Sequence, residues 1–203
     1  IVLICNICYK MKPIITKKLL TFYIETARQR VISVLFKYPE KEFSLSDLAK
    51  EAGVAKAHIG KVLDELYSLR LISITKLSKI WRIKANQQSN EFIKSKIAYN
   101  LNFIYQSGII EFLNEHFNNP KAIILFGSFR KGDDISTSDI DIAIETDEVK
   151  EYKTVTTKEL IEFEKLINRK IQIHLFNRGK IDINVFNNIA NGIVLSGFLE
   201  VKL

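Results

Sequence analysis

Cysteine is scarce: Cys5 and Cys8, spaced as a single CxxC, are the only two in 203 residues. A structural zinc site needs about four nitrogen or sulfur ligands. The histidines, His58, His116 and His174, are scattered along the chain, so no cage assembles around that pair. One close pair makes no disulfide framework either, and both thiols read as small apolar groups of a terminal segment. Long hydrophobic runs are missing too, with no apolar stretch reaching the ~18 residues that span a bilayer. The opening Ile1-Val2-Leu3-Ile4-Cys5 is short and has no basic segment before it, which argues against a secretory signal. The cytoplasm is the expected compartment, with no membrane partner. Met11 is the only methionine, so residues 1–10 read as an upstream extension or a terminal strand. No internal repeat or low-complexity tract appears.

What is present is the material of a folded core. Hydrophobic residues make up 47% and charged residues 26%, and the net charge is +7. That surplus favours polyanionic partners, either nucleic acid or nucleotides. The texture changes along the chain. Residues 26–85 read as three helices and two β-prone runs, residues 86–105 as a polar stretch and a connecting helix, and residues 106–203 as alternating strands and helices. Residues 1–25 form an N-terminal extension. The expected fold class is therefore α+β.

Thr26 and Gln29 fit a capping box, in which each side chain satisfies a free backbone N–H of the other residue. Val31, Ile32, Val34 and Leu35 follow, and Pro39 stops the helix. Ser44 and Asp47 repeat the device, with Phe43 and Leu48 at the staple positions and Gly53 as the closing residue able to take positive φ. A third helix over 55–69 carries Ile59, Val62, Leu63, Leu66 and Leu69 on one stripe. Two β-prone runs, 71–75 and 80–83, flank a basic turn over 76–79. Ala49, Gly53 and Ile59 stand where helix-turn-helix motifs place a small residue, a turn glycine and an apolar anchor. Residues 26–85 thus resemble a winged helix-turn-helix domain. The resemblance implies DNA binding, with Lys56, His58 and Lys61 on the recognition helix and Lys76, Lys79 and Arg82 in the wing. Fold alone does not fix that function, and Asp64 and Glu65 would repel phosphate if they faced it.

Residues 122–145 read AIILFGSFRKGDDISTSDIDIAIE. Residues 122–126 form a buried strand, Gly127-Ser128 breaks it, and 139–144 form a second strand. Side chains alternate along a strand, so Asp139 and Asp141 share a face. Two adjacent carboxylates repel, and a divalent cation between them relieves the repulsion. Mg²⁺ suits a site of few carboxylates completed by substrate phosphates. Gly127 lets the backbone approach a phosphate, Ser128 offers a hydroxyl, Lys131 offers charge, Gly132 lets the loop turn back, and Ser138 caps or orients the strand of aspartates.

Gly-Ser, then the ten residues 129–138, then Asp-x-Asp resembles the signature of DNA polymerase β-like nucleotidyltransferases. Ser138-Asp139-Ile140-Asp141, Lys131-Gly132 and the closing Gly192-Ile193-Val194-Leu195-Ser196-Gly197 are similar to the minimal nucleotidyltransferases of prokaryotes. The resemblance covers 106–203 and implies a small mixed-sheet domain. It also implies Mg²⁺ or Mn²⁺ on Asp139 and Asp141, and an NTP, as substrate or ligand, on Gly127, Ser128, Lys131 and Ser138. Antitoxin-type relatives imply a HEPN-type toxin as partner. The family draws a third carboxylate from a later strand, expected here over 170–176 after a helix over 157–167. This chain has Gln172 there, with His174 facing the same way, while Glu145 stands ~13 Å beyond Asp141 at strand rise. Three readings of the site stay open: an enzyme with an unusual third group, a site that binds a nucleotide–Mg²⁺ complex without turnover, or a vestigial scaffold; the alternative function is a catalytically weak or inactive nucleotide-sensing transcriptional regulator. The aromatic segments 22–23 and 103–105 offer a homodimer interface, though core packing is the commoner use of such residues.

Overall fold

The computed structural model describes residues 26–77 and 80–201. Cys5, Cys8, Met11, Phe22, Tyr23 and Lys79 lie outside the described residues. Eight α-helices and two sheets make the described residues a mixed α+β structure, and none of those helices is long and apolar enough to cross a membrane.

Helix α1 (Ala27–Lys37) starts at its capping box: Thr26 Oγ1 accepts from Gln29 N at 3.2 Å and Gln29 Oε1 accepts from Thr26 N at 2.8 Å. Helix α2 (Leu45–Glu51) is capped by Ser44, whose hydroxyl oxygen accepts from Asp47 N at 3.1 Å. Gly53 follows the cap residue Ala52 with φ 58°, the left-handed closing geometry its sequence position predicts. Helix α3 (Lys56–Ser68) buries Ile59, Val62, Leu63 and Leu66. Leu69, expected on the same stripe, is instead the exposed C-cap, because the helix ends one residue earlier and Arg70 turns the chain at φ 58°.

Strands β1 (Ile72–Leu77) and β2 (Ile80–Ala85) pair antiparallel from Ile72↔Ala85 to Leu77↔Ile80. Lys76 and Leu77, expected in the turn, extend β1, since their backbone groups still find partners in Trp81 and Ile80. Phe43 bridges to Ile83, so the segment before α2 lies on the hairpin. One core joins these pieces through Val31, Leu35, Leu48, Ile59, Leu63 and Ile83.

Helix α4 (Asn90–Gln106) belongs to two cores. Near its start Phe92 packs on Phe36 of α1 with ring centroids 5.2 Å apart, and near its end Ile104 enters the core of the C-terminal half. Helix α5 (Ile109–His116) follows, an element the sequence reading did not separate from its neighbours.

The second sheet is built from β3 (Ala122–Phe126), β4 (Ile140–Glu145), β5 (Lys153–Val155), β6 (Ile171–Phe176) and β7 (Ile193–Gly197). Its order is β5-β6-β4-β3-β7, with β4 and β6 parallel and the other neighbours antiparallel. Between the strands run α6 (Gly127–Lys131), α7 (Ile161–Ile167) behind a 3₁₀ turn (Lys158–Leu160), and α8 (Ile183–Ala190). Alternation sorts the two faces. Ile123, Leu125, Ile140, Ile142, Ile144, Ile171 and Ile173 pack beneath the sheet with Ile104, Leu113 and Phe163. Ala122, Ile124, Ala143 and Phe176 face the other way and meet Ile189 of α8. That second face carries polar groups where β4 and β6 begin.

Candidate active site

Asp139 immediately precedes β4, and Asp141 is the second residue of the strand. In the sheet register Asp141 lies beside Gln172 on one side and Phe126 on the other. Residues paired across strands share a face, so Asp139, Asp141, Gln172 and His174 converge there. Gln172 Nε2 donates to Asp139 Oδ2, and His174 Nε2 lies 3.1 Å from Asp141 Oδ1. The two β6 residues found opposite a missing acid are therefore the partners of the two aspartates. His174 is oriented on its far side as well: the Tyr152 hydroxyl stands 2.5 Å from Nδ1, Thr154 Oγ1 3.4 Å from it, and the Phe126 ring lies edge-on at 4.9 Å.

Gly127 and Ser128 do not merely break β3. They begin α6, so the loop expected after the strand opens as a short helix. Gly127 holds φ 74°, and a Cβ built on it would overlap the Asp141 carboxylate. Only glycine lets a backbone turn lie this close to the acid. Ser128 is half-buried and its carbonyl accepts from Gly132 N at 3.0 Å, closing α6. Gly132, with φ 75°, turns the chain back against the backbone of Ile93. Lys131 is exposed. The Ser138 hydroxyl oxygen accepts from Ile135 N at 3.0 Å, which ties a tight turn just before Asp139.

The loop between Gly132 and Asp139 is anchored by residues the sequence reading missed. Asp134 is 1% exposed, and Lys96 Nζ lies 3.1 Å from its Oδ1. Asn100 Nδ2 donates to the same oxygen at 2.9 Å and to Phe129 O at 2.8 Å. Arg169 Nη2 lies 3.6 Å from Asp134 Oδ2, and its guanidinium donates to Ser136 O at 3.1 Å and Lys37 O at 2.8 Å. Glu40, from the turn after α1, accepts hydrogen bonds from the Ser136 amide and hydroxyl. Burial pushes the Lys96 ammonium below its ordinary pKa, with Asp134 opposing. At Glu40 burial pulls the carboxyl upward, but the Ser136 hydrogen bonds and Arg169 together hold it below the usual carboxylate range. The signal for this cluster was a lysine and an asparagine four residues apart on α4, a spacing that puts both on one helix face.

An open cleft of about 690 Å³ adjoins Asp139, lined by Ser138, Gln172, Thr156, Glu164, Lys165 and Lys170. Among the described residues no three His, Cys, Asp or Glu side chains form a dedicated metal cage. Two neighbouring carboxylates fit a different arrangement, in which a hard cation is shared with substrate phosphates. Glu145 takes no part: it is 2% exposed at the other end of the face, 3.1 Å from Arg178, and burial raises its pKa against the pull of that arginine.

In the N-terminal unit Lys56, His58 and Lys61 lie exposed on α3. Asp64 is exposed too, and Glu65 pairs with Arg28 at 3.7 Å. On the hairpin Lys76 stacks over Trp81 at 4.0 Å, and Arg82 lies 3.3 Å from Glu42. Phe103 packs against the second core, whereas Tyr105 is exposed.

Residues 107–192 match the family model described as Nucleotidyltransferase domain. Those residues include Gly127, Ser128, Asp139, Asp141, Gln172 and His174. No curated protein matches the chain. Among solved structures, the "Crystal Structure of NolR from Sinorhizobium fredii" aligns over 46% of this chain and 86% of that one, with 19% identity and a TM-score of 0.33.

Proposed function

We propose that the protein is a Mg²⁺-dependent nucleotidyltransferase that moves a nucleotidyl group from an NTP to a hydroxyl acceptor. The observation that carries the reading is the apposition of Gly127 and Asp141, inside the stretch that matches the nucleotidyltransferase model. A backbone turn that can approach phosphates lies directly against a carboxylate suited to a divalent cation. Asp139 and Asp141 would hold the cation, which would supply neutralisation of phosphate charge and polarisation of the α-phosphorus. Gly127, Ser128 and Lys131 hold the triphosphate, and Ser138 fixes the turn that aims Asp139. Gln172 and His174 take the place of a third acid, keeping both carboxylates oriented. A HEPN-type toxin protein is the acceptor-bearing partner the antitoxin resemblance implies, and the setting is cytoplasmic.

The test is incubation with α-labelled NTPs, Mg²⁺ and candidate acceptors. Covalent label with one pyrophosphate released per transfer is expected from the natural chain, and neither from Asp141→Asn. Tight NTP binding without transfer to any acceptor would turn the reading into the second one.

That second reading is a nucleotide-sensing DNA-binding regulator. It is favoured by three helices and a β-hairpin in winged-helix order, with Lys56, His58 and Lys61 exposed on the third helix. In that reading Lys76, Lys79 and Arg82 of the wing meet phosphates. The unit that would carry DNA also contributes Glu40 to the loop before Asp139.

A further inference from the structure

The hydroxyl nearest the aspartate pair through a proton-accepting group belongs to the protein itself. Tyr152 OH lies 2.5 Å from His174 Nδ1, and His174 Nε2 lies 3.1 Å from Asp141 Oδ1. Hydroxyl, imidazole and carboxylate thus follow one another as nucleophile, base and orienting group do in nucleophilic catalysis. The stacked Tyr152 and His174 rings, with centroids 5.8 Å apart, and the edge-on Phe126 ring hold the imidazole in that line. Tyr152 is 37% exposed.

Its position across the sheet is the second argument. The Gly127-Ser128 turn leaves from the end of β3, on one side of Asp141 in β4, whereas Tyr152 immediately precedes β5, on the far side of β6. Nucleotidyl transfer proceeds by roughly in-line displacement, with nucleophile and leaving group on opposite sides of the phosphorus. A triphosphate held at Gly127-Ser128 puts its leaving pyrophosphate towards β3. An incoming hydroxyl therefore belongs towards β6 and β5, where Tyr152 stands. Of two other hydroxyls near the site, the Ser138 oxygen is engaged by Ile135 N, and Thr154 stands farther from His174 Nδ1, at 3.4 Å.

We infer that Tyr152 is a nucleotidyl acceptor of this site, so that the chain modifies itself; the inference rests on the transfer reading above. The phenolic O–H gives its proton to His174 Nδ1. The oxygen forms a bond to the α-phosphorus of the NTP. The bond from that phosphorus to the bridging oxygen of the β-phosphate breaks, and pyrophosphate leaves with its electron pair. The product is a Tyr152 phosphodiester of the nucleoside monophosphate, and no oxidant or reductant is needed. Because the modified oxygen lies in the acceptor side of its own site, the reaction runs once per chain.

The experiment incubates the full chain with Mg²⁺ and each of the four NTPs, follows intact mass, and maps any adduct by peptide fragmentation. A single nucleoside monophosphate on Tyr152 is expected, with a first-order rate that does not change with protein concentration. Tyr152→Phe, which keeps the ring, should lose the adduct while still binding Mn²⁺–NTP. An adduct on Thr154 or elsewhere, undiminished labelling of Tyr152→Phe, or a rate proportional to protein concentration would each overturn the inference. So would a chain that binds Mn²⁺–NTP through Asp141 and passes label to an added acceptor but is never labelled itself, an outcome that leaves the transfer reading standing. Absence of both NTP binding and transfer would instead remove the transfer reading, and the inference with it.

Discussion

Replacing Lys96 with methionine removes one charge from a buried pair while keeping most of the side-chain volume. Lys96 and Asp134 are each 1% exposed and their charged atoms lie 3.1 Å apart. Breaking such a pair by deleting one partner costs about 3–5 kcal/mol, because the remaining charge stays buried without compensation. Asp134 would keep Asn100 at 2.9 Å and Arg169 at 3.6 Å, so the low end of the range, about 3 kcal/mol, is expected. That is a large share of the about 5–15 kcal/mol that stabilises a typical domain. Urea denaturation followed by far-ultraviolet circular dichroism reads the loss as a lowered midpoint. A double variant, Lys96→Met with Asp134→Asn, should lose less than the sum of the two single losses, with a coupling of about 1–3 kcal/mol. The same residue sets a pH signature. Burial holds its folded-state pKa below the ordinary 10.5, so between those values the unfolded chain binds more protons, and this group makes stability rise with pH. Lys96→Met should lack that contribution to the alkaline slope. A loss below about 1 kcal/mol, or strictly additive single losses, would show that the cluster is not the anchor of the loop before Asp139.

Three further outcomes are expected. Gly127→Ala places a methyl group against Asp141 at a positive φ that costs an L-residue about 1–2 kcal/mol, and it should abolish Mn²⁺–NTP binding in a titration calorimeter; unchanged binding would refute the apposition. Glu40→Gln should remove an acid-side dependence of stability. The lowered Glu40 pKa contributes stability that is present above 4.5 and lost as pH falls through the folded-state value, so natural and variant chains should converge in acid and differ near neutrality. On the regulator reading, Lys61→Ala and Lys79→Ala should each weaken DNA binding and lower the salt slope by about 1, measured by fluorescence anisotropy across a salt series; an unchanged slope would exclude that face.

The elements were legible where local chemistry decided them. Thr26 with Gln29, Ser44 with Asp47, and Gly53 mark helix ends through backbone hydrogen bonds made within a few residues, and the structure has those ends. Strand 122–126 was legible as an apolar run, whereas the strand over 170–176 was expected from the family resemblance. Leu69 and Lys76 were misplaced because helix and hairpin ends depend on where the chain turns, which differs by a residue or two from the pattern. The roles of Lys96, Asn100, Asp134, Arg169 and Glu40 were not legible, because the partners that anchor the loop lie 29 to 132 residues away in sequence. Alternation put Gln172 and His174 on one face of their strand, and the family resemblance put that face at the aspartates. That each pairs with one of the two aspartates required the parallel register of β4 and β6.

The central claim is that Asp139 and Asp141 hold a divalent cation shared with an NTP lying on Gly127-Ser128. Its most direct test is the affinity of the full chain for Mn²⁺–NTP, measured by titration calorimetry, against the same measurement on Asp141→Asn. The account predicts at least about a tenfold loss in the variant, since disturbing even a supporting group of a metal site commonly costs that much. Equal affinity in the two proteins would contradict it.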